Sequence, residues 1–393
     1  MPQFLQPLRF TGATILRDGE MQKRSLAIAE GRITRGRLPE VDLTGYLILP
    51  GIIDLHGDAF ERHIAPRPTA PFEMAMGLAA TDRDAAANGV TTAWLAQSWS
   101  WEGGHRGPDH AEALLDALAD HAPRTLTDLR VQIRCETHMV DTGPRLIAAV
   151  RRHGVNYVVF NNHLDEAAEM ARTRPARLHH WAEQAGRTPQ EHLALVTAAR
   201  ARSPEVPRHL CRLADAFDEM GVIYGSHDDP DGETRERFSM IGARIAEFPT
   251  TRRAAAAAKA MNDPVLMGAP NVVRGGSQSG GVSATQLIAQ GLCDALVSDY
   301  YYPALSHAAW RLVDLGLKTL PQAWAMISET PAAILRLPDR GRLDVGRRAD
   351  LCVLNARTRA VEMTIAGGRL SYLAGEAAHR FAQRIHALDM AAE

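Results

Sequence analysis

The sequence predicts an α/β fold: a TIM-type (β/α)8 barrel with a small β domain built from both termini. Three observations carry this reading. Short apolar runs alternate with helix-like stretches through the middle of the chain, the pattern of βα units around a parallel sheet. Several of those runs are apolar throughout, as strands covered on both faces are. Both ends of the chain carry short apolar runs broken at Gly-centred turns, which read as β-hairpins.

The first end segment, Leu8–Ile33, turns at Asp18-Gly19 and Glu30-Gly31; the second, Arg348–Leu373, turns at Gly367-Gly368. Neither holds enough strands to bury a core alone, so the two are expected to pair. This gives a split β domain of residues 1–48 and 340–375 around a barrel of residues 49–339. The barrel strands are expected at Ile52–His56, Val90–Ala96, Val131–Cys135, Tyr157–Asn161, Val222–Ser226, Ala246–Phe248, Val265–Gly268 and Ala295–Ser298. Between them, stretches such as Ala111–Ala119 and Thr251–Met261 place alanine and leucine at helical spacing. The long polar stretch from Asn161 to Val222 is expected to form two helices beside the barrel mouth. Residues 376–393 read as a helical tail. Its amphipathic part, Glu376–Leu388, is expected to face either the barrel or a second copy of the chain, so a homo-oligomer is one expectation.

Composition narrows the function. A net charge of −2 leaves no basic footprint for a nucleic acid, and no run approaches the roughly 18 apolar residues that cross a bilayer. Met1–Glu20 lacks the basic head and apolar run of a signal peptide. The four cysteines are scattered, with no CxxC pair, which fits a reducing cytoplasm. A small molecule is the expected partner.

Barrel active sites sit at the carboxyl ends of the strands. The first strand ends in His56-Gly57-Asp58, whose two metal-capable side chains point the same way on an extended chain. The third ends in Glu136, the fourth in Asn161-Asn162-His163, and the fifth in His227-Asp228-Asp229. The sixth holds Glu247 and the eighth ends in Asp299-Tyr300. One such group could be a surface turn; six at successive strand ends point to one metal site. His56, Asp58, Glu136, His163 and His227 are the expected ligands. Imidazole and carboxylate donors without thiolate suit one or two ions of Zn²⁺, with Mn²⁺ or Fe²⁺ as alternatives. A metal with an open position lowers the pKa of its water, and Asp299 is the candidate general base. Asp228 and Glu247 are expected to support the ligands, although Asp228 and Asp229 could also cap the next helix. His105, His138 and His153 read as ordinary surface or loop residues.

At these residues the chain resembles the amidohydrolase superfamily. Leu49–His56 is similar to its first-strand signature, and Gly341–Leu351 to its return into the split β domain. Many members bridge two metals with a carboxylated lysine. Lysine occurs here only at Lys23, Lys259 and Lys318, so the resemblance implies Glu136 in that role. Longer stretches are similar to one subfamily, the α-D-ribose 1-methylphosphonate 5-triphosphate diphosphatases of the carbon–phosphorus lyase pathway. They are Asp58–Pro68, Arg134–Glu136, Ser226–Asp229, Glu247–Thr251, Met267–Ser277 and Ser298–Tyr301. The resemblance implies a phosphorylated sugar substrate, cleaved to a 5-phosphate and pyrophosphate. Arg62, His63, Arg67 and Arg274, with the Gly275-Gly276-Ser277-Gln278 turn, are then the expected phosphate contacts, because guanidinium and glycine-rich backbone both suit phosphate oxygens. Two departures bear on the substrate: Gln278 stands where the subfamily carries His, and Asn162 where it carries Asp. A C–N bond hydrolase, such as a deaminase or cyclic amide hydrolase, is the alternative.

Overall fold

In the computed structural model, which describes residues 4–67, 70–278 and 280–389, all eight predicted barrel strands are present. They are β1 (Ile52–Gly57), β2 (Val90–Trp99), β3 (Asp128–Glu136), β4 (Tyr157–Asn161), β5 (Ile223–His227), β6 (Ile245–Glu247), β7 (Val265–Gly268) and β8 (Ala295–Val297). They lie in sequence order in one parallel sheet. The seam between β8 and β1 is joined by a parallel bridge between Gly57 and Asp299. There the Asp299 amide donates to the His56 carbonyl at 3.0 Å, and the Asp58 amide to the Asp299 carbonyl at 2.7 Å. The ring therefore closes at its mouth, on residues that chemistry had already singled out.

The strand sequences explain the layers. On β4, Val158 and Phe160 face the surrounding helices with Leu95, Ile133, Ala246 and Leu296. The alternate positions Tyr157 and Val159 face inward and pack with Ile53, Leu55, Trp94, Ile245, Leu266 and Val297. This inner cluster fills the barrel floor, so polar groups can gather only at the top. Helix Gly143–His153 shows the outer layer's logic. Leu146, Ala149 and Val150 are buried, Pro144 sits in its first turn, and Gly154 ends it at φ 63°, a left-handed position that glycine reaches without cost.

The two termini do pair. Strands Tyr46–Pro50 and Leu351–Asn355 are antiparallel neighbours within a six-stranded sheet that also holds segments 14–17, 20–23, 361–366 and 369–373. A second, four-stranded sheet is made of residues 8–11, 26–29, 32–34 and 40–42. Phe10, Ile15, Val41, Ile48, Val353 and Ile365 form the shared core.

Two local expectations are corrected. The segment after β4 holds four helices, not two: Leu164–Thr173, Pro175–Gln184, Pro189–Ala201 and Val206–Met220. Prolines at the first turns of the last three restart the helix each time, because proline suits a first turn and breaks an interior. The tail helix Gly375–Asp389 packs on the terminal sheets and not on the barrel: Ala377 and Phe381 join their core. Arg380 fixes it there, donating to the Thr44 carbonyl at 2.9 Å. No helix among the described residues is long and apolar enough to cross a membrane.

Candidate active site

Gly57 lets the seam close. A Cβ there would stand 2.6 Å from Ser298 Oγ and 2.8 Å from the Asp54 carboxylate. Those two groups are bonded to each other, with Ser298 donating to Asp54 from its amide at 2.8 Å and its hydroxyl at 2.6 Å. The pair clamps β8 to β1 just below His56 and Asp299. Burial pushes the Asp54 carboxyl up to about 7 despite these bonds.

His56 is buried, with Nδ1 2.8 Å from Glu247 Oε2. The other oxygen of Glu247 accepts from Gln132 Nε2 at 2.6 Å and from the Tyr157 hydroxyl at 2.5 Å. Both oxygens of Glu247 are therefore engaged by protein groups. Burial disfavours both charges of the His56–Glu247 pair, but their attraction outweighs it, raising the His56 pKa and lowering that of Glu247. With Nδ1–H held by the carboxylate, His56 offers Nε2 as its free donor atom, the arrangement that orients metal-binding histidines. His227 lies with its ring centroid 5.2 Å from that of His56. Burial lowers the pKa of His227, which favours the neutral form a ligand needs, while Asp228 Oδ2 lies 3.0 Å from its Nδ1. Asp228, at φ 59°, is drawn down to about 2 by His227 in spite of its burial.

A second group stands beside the first. Glu136 Oε1 is 2.6 Å from His163 Nδ1, and Glu136 Oε2 accepts from the His163 amide at 3.0 Å and from Trp101 Nε1 at 3.3 Å. Glu102 Oε1 lies 3.7 Å from His163 Nδ1, and its other oxygen accepts from Arg106 at 2.9 Å. Two clusters thus have ligand-type atoms close enough to share an ion: His56, His227 and Glu247, and Glu102, Glu136 and His163.

A cavity of roughly 300 Å³ opens over the first cluster. His56, Asp58, His227, Asp228 and Asp299 line it together with Arg106, Arg134, Arg274, Ser277 and Gln278. Asp299, at φ 58°, has its carboxyl pushed up to about 6 by burial. Arg274 ends the short helix after β7, and Gly275 at φ 83° turns the backbone back over the cavity.

Not every expected residue comes here. Arg62 is turned to donate to the Tyr300 carbonyl at the rim, His63 lies 3.4 Å from Asp84, and exposed Arg67 bridges to Ala70. None of the three lines the cavity. Asp229 caps no helix; it is buried, accepting from Ser226 at 2.6 Å and pairing with Arg235 at 3.2 Å, while Asp231 caps Gly232–Met240. Sequence reasoning missed Glu102, Arg106 and Arg134. The first two follow β2, the strand whose end had shown no ligand-type group, and the Trp101-Glu102 pair was the only local signal.

A curated relative, the α-D-ribose 1-methylphosphonate 5-triphosphate diphosphatase of Escherichia coli (strain K12), is 32% identical over 364 residues, covering 88% of this chain and 94% of the relative. The chain belongs to that family. The family is one of hydrolases. Solved structures share its fold. A putative prolidase from Bifidobacterium longum, 16% identical, aligns over 100% of both chains with a TM-score of 0.63. N-acetylglucosamine-6-phosphate deacetylase from Pasteurella multocida, 11% identical, aligns with a TM-score of 0.62 over 93% of this chain and 99% of that one. No protein-family profile matches the chain.

The Asp299 environment sets a pH dependence. A general base works ionised, and burial places this carboxyl at about 6; a cation nearby can only move it lower. Turnover is therefore expected to be full above about pH 7 and to fall on the acid side of about pH 6. A kcat/KM profile still rising at about pH 8 would exclude Asp299 as the base.

Proposed function

We propose that this chain is a divalent-metal-dependent diphosphatase that cleaves α-D-ribose 1-methylphosphonate 5-triphosphate to the 5-phosphate and pyrophosphate. One observation supports the reading beyond the family: a single cavity is lined by imidazole and carboxylate donors and also by three arginines and a glycine turn. The first kind of group suits a cation and the second a chain of phosphates. Amide or purine hydrolysis has no use for three guanidinium groups.

The donor set fits a metal. His56 presents its free Nε2, and His227, Asp58 and the Glu136–His163 pair add nitrogen and oxygen donors. Cys135 packs outward against the helices and offers no thiolate. Such a set suits Zn²⁺, with Mn²⁺ or Fe²⁺ as alternatives. A divalent ion held there supplies a Lewis acid and lowers the pKa of water at the site. Glu247 holds the His56 ring in place, Asp299 takes the proton of the attacking water, and Arg274 with the Ser277 turn holds the outer phosphates. The setting we infer is phosphonate catabolism in the cytoplasm.

The test is a direct one. Purified protein is expected to release one pyrophosphate per ribose 5-triphosphate consumed. Chelation should reduce the rate by about 10³-fold or more, and Zn²⁺ or Mn²⁺ should restore it. Ammonia released from amides or purines, with no pyrophosphate from any triphosphate, would refute the reading.

A further inference from the structure

Arg134 stands on β3 between Gln132 and Glu136, and side chains on a strand alternate in direction. Gln132 reaches inward to Glu247 and Glu136 reaches His163, so Arg134 points the same way, into the mouth. It lines the cavity with His56, Asp58, His227 and Asp299. Yet among the described residues its guanidinium has neither a hydrogen bond nor an ion pair, and its Nε is buried without a partner.

Two more deeply buried arginines are ion-paired. Arg235 is held by Asp229 and Asp263, and Arg340 by Asp128 and Asp339. Arg134 is half-buried and has no such partner among the described residues, which leaves its guanidinium available to a ligand in the cavity. Three carboxylates share the cavity with Arg134, but none is bonded to it. Arg274, by contrast, is exposed at the rim.

We propose that Arg134 binds the phosphoryl group under attack, a catalytic role that rests on the diphosphatase reading above. The α-phosphoryl group then lies deep, against Arg134, and the outer two phosphates point towards Arg274 and the glycine turn. In the step itself, the oxygen of water forms a bond to the α-phosphorus. The bond from that phosphorus to the bridging oxygen breaks, and its electron pair leaves with pyrophosphate. The proton of the water passes to Asp299. Arg134 donates to the non-bridging oxygens, whose charge it neutralises as the phosphorus passes through its transition state.

The experiment compares metal-loaded wild type with Arg134→Met and Arg134→Lys, following pyrophosphate release, metal content and Tm. Arg134→Met is expected to lower kcat by about 10²–10³-fold, more than it raises KM. Arg134→Lys, which keeps the charge without the planar fork, should recover part of the rate. Because Arg134 makes no hydrogen bond to the protein among the described residues, Tm should hold and the metal should stay bound; a merely structural arginine would lower Tm when removed. Wild-type turnover with Arg134→Met within about threefold of it would overturn this inference alone. Loss of metal together with a lower Tm would reassign Arg134 to the scaffold and overturn it too. Wild-type protein that releases no pyrophosphate would overturn the diphosphatase reading, and the inference with it.

Discussion

Asp299→Asn is expected to cut pyrophosphate release by about 10²–10⁴-fold while leaving the fold and the bound metal in place. The side chain is where the cavity needs a proton acceptor, and burial has already raised its pKa to about 6. An amide of the same shape accepts no proton. The structural part of the residue survives the change, because its backbone, not its carboxylate, closes the barrel: amide to His56, carbonyl to Asp58. The residue holds φ 58°, and asparagine tolerates that left-handed region nearly as well as any residue but glycine. Alanine would add strain to the loss of the base, so it is the poorer test. Turnover assays, metal analysis and a thermal melt check the expectation together. Retention of more than about a tenth of the wild-type rate would remove Asp299 from the mechanism.

Glu247→Leu is expected to destabilise the protein by about 3–5 kcal/mol. The substitution leaves three polar groups stranded at the barrel axis: the His56 Nδ1, the Gln132 amide and the Tyr157 hydroxyl. All three lie where water cannot replace the lost carboxylate, since Glu247, Gln132 and Tyr157 are fully buried. Glu247→Gln separates stability from function. It keeps an acceptor and the volume but turns a neutral amide towards His56, so metal affinity is expected to fall about 10–100-fold with a smaller loss of stability. Denaturant unfolding and metal titration of both variants decide the matter. If Glu247→Gln binds metal as wild type does, the carboxylate is a packing group and not the element that orients His56.

How the site was read follows from these same residues. Ligand-type groups at the ends of β1, β3, β4, β5, β6 and β8 were visible in the chain because strand ends in a parallel barrel share one face. The chain could not show that Glu247 lies behind His56, since that depends on β6 sitting one layer deeper than the mouth. It could not separate Glu136 and His163 into a second cluster with Glu102 either. Arg62, His63 and Arg67 looked like phosphate contacts through proximity in sequence to Asp58. They belong to a short helix, Phe60–Ile64, and its exit, and a helix turns each successive side chain by about 100°. Nearness in sequence therefore says little about direction there. Arg134 was hidden for the opposite reason: it is interior to a strand, where a charged residue reads as an interruption of the apolar run.

The sequence by itself determined the layered architecture, the pairing of the two ends and the kinds of donor at the mouth. Each of these rests on local periodicity and on the need to bury apolar faces, which a chain carries wherever it goes. Tertiary structure alone decided which donors meet, which carboxylate orients His56, and which arginines face the cavity. Those outcomes depend on register at the β8–β1 seam and on the paths of the loops, and contacts distant in the chain set both.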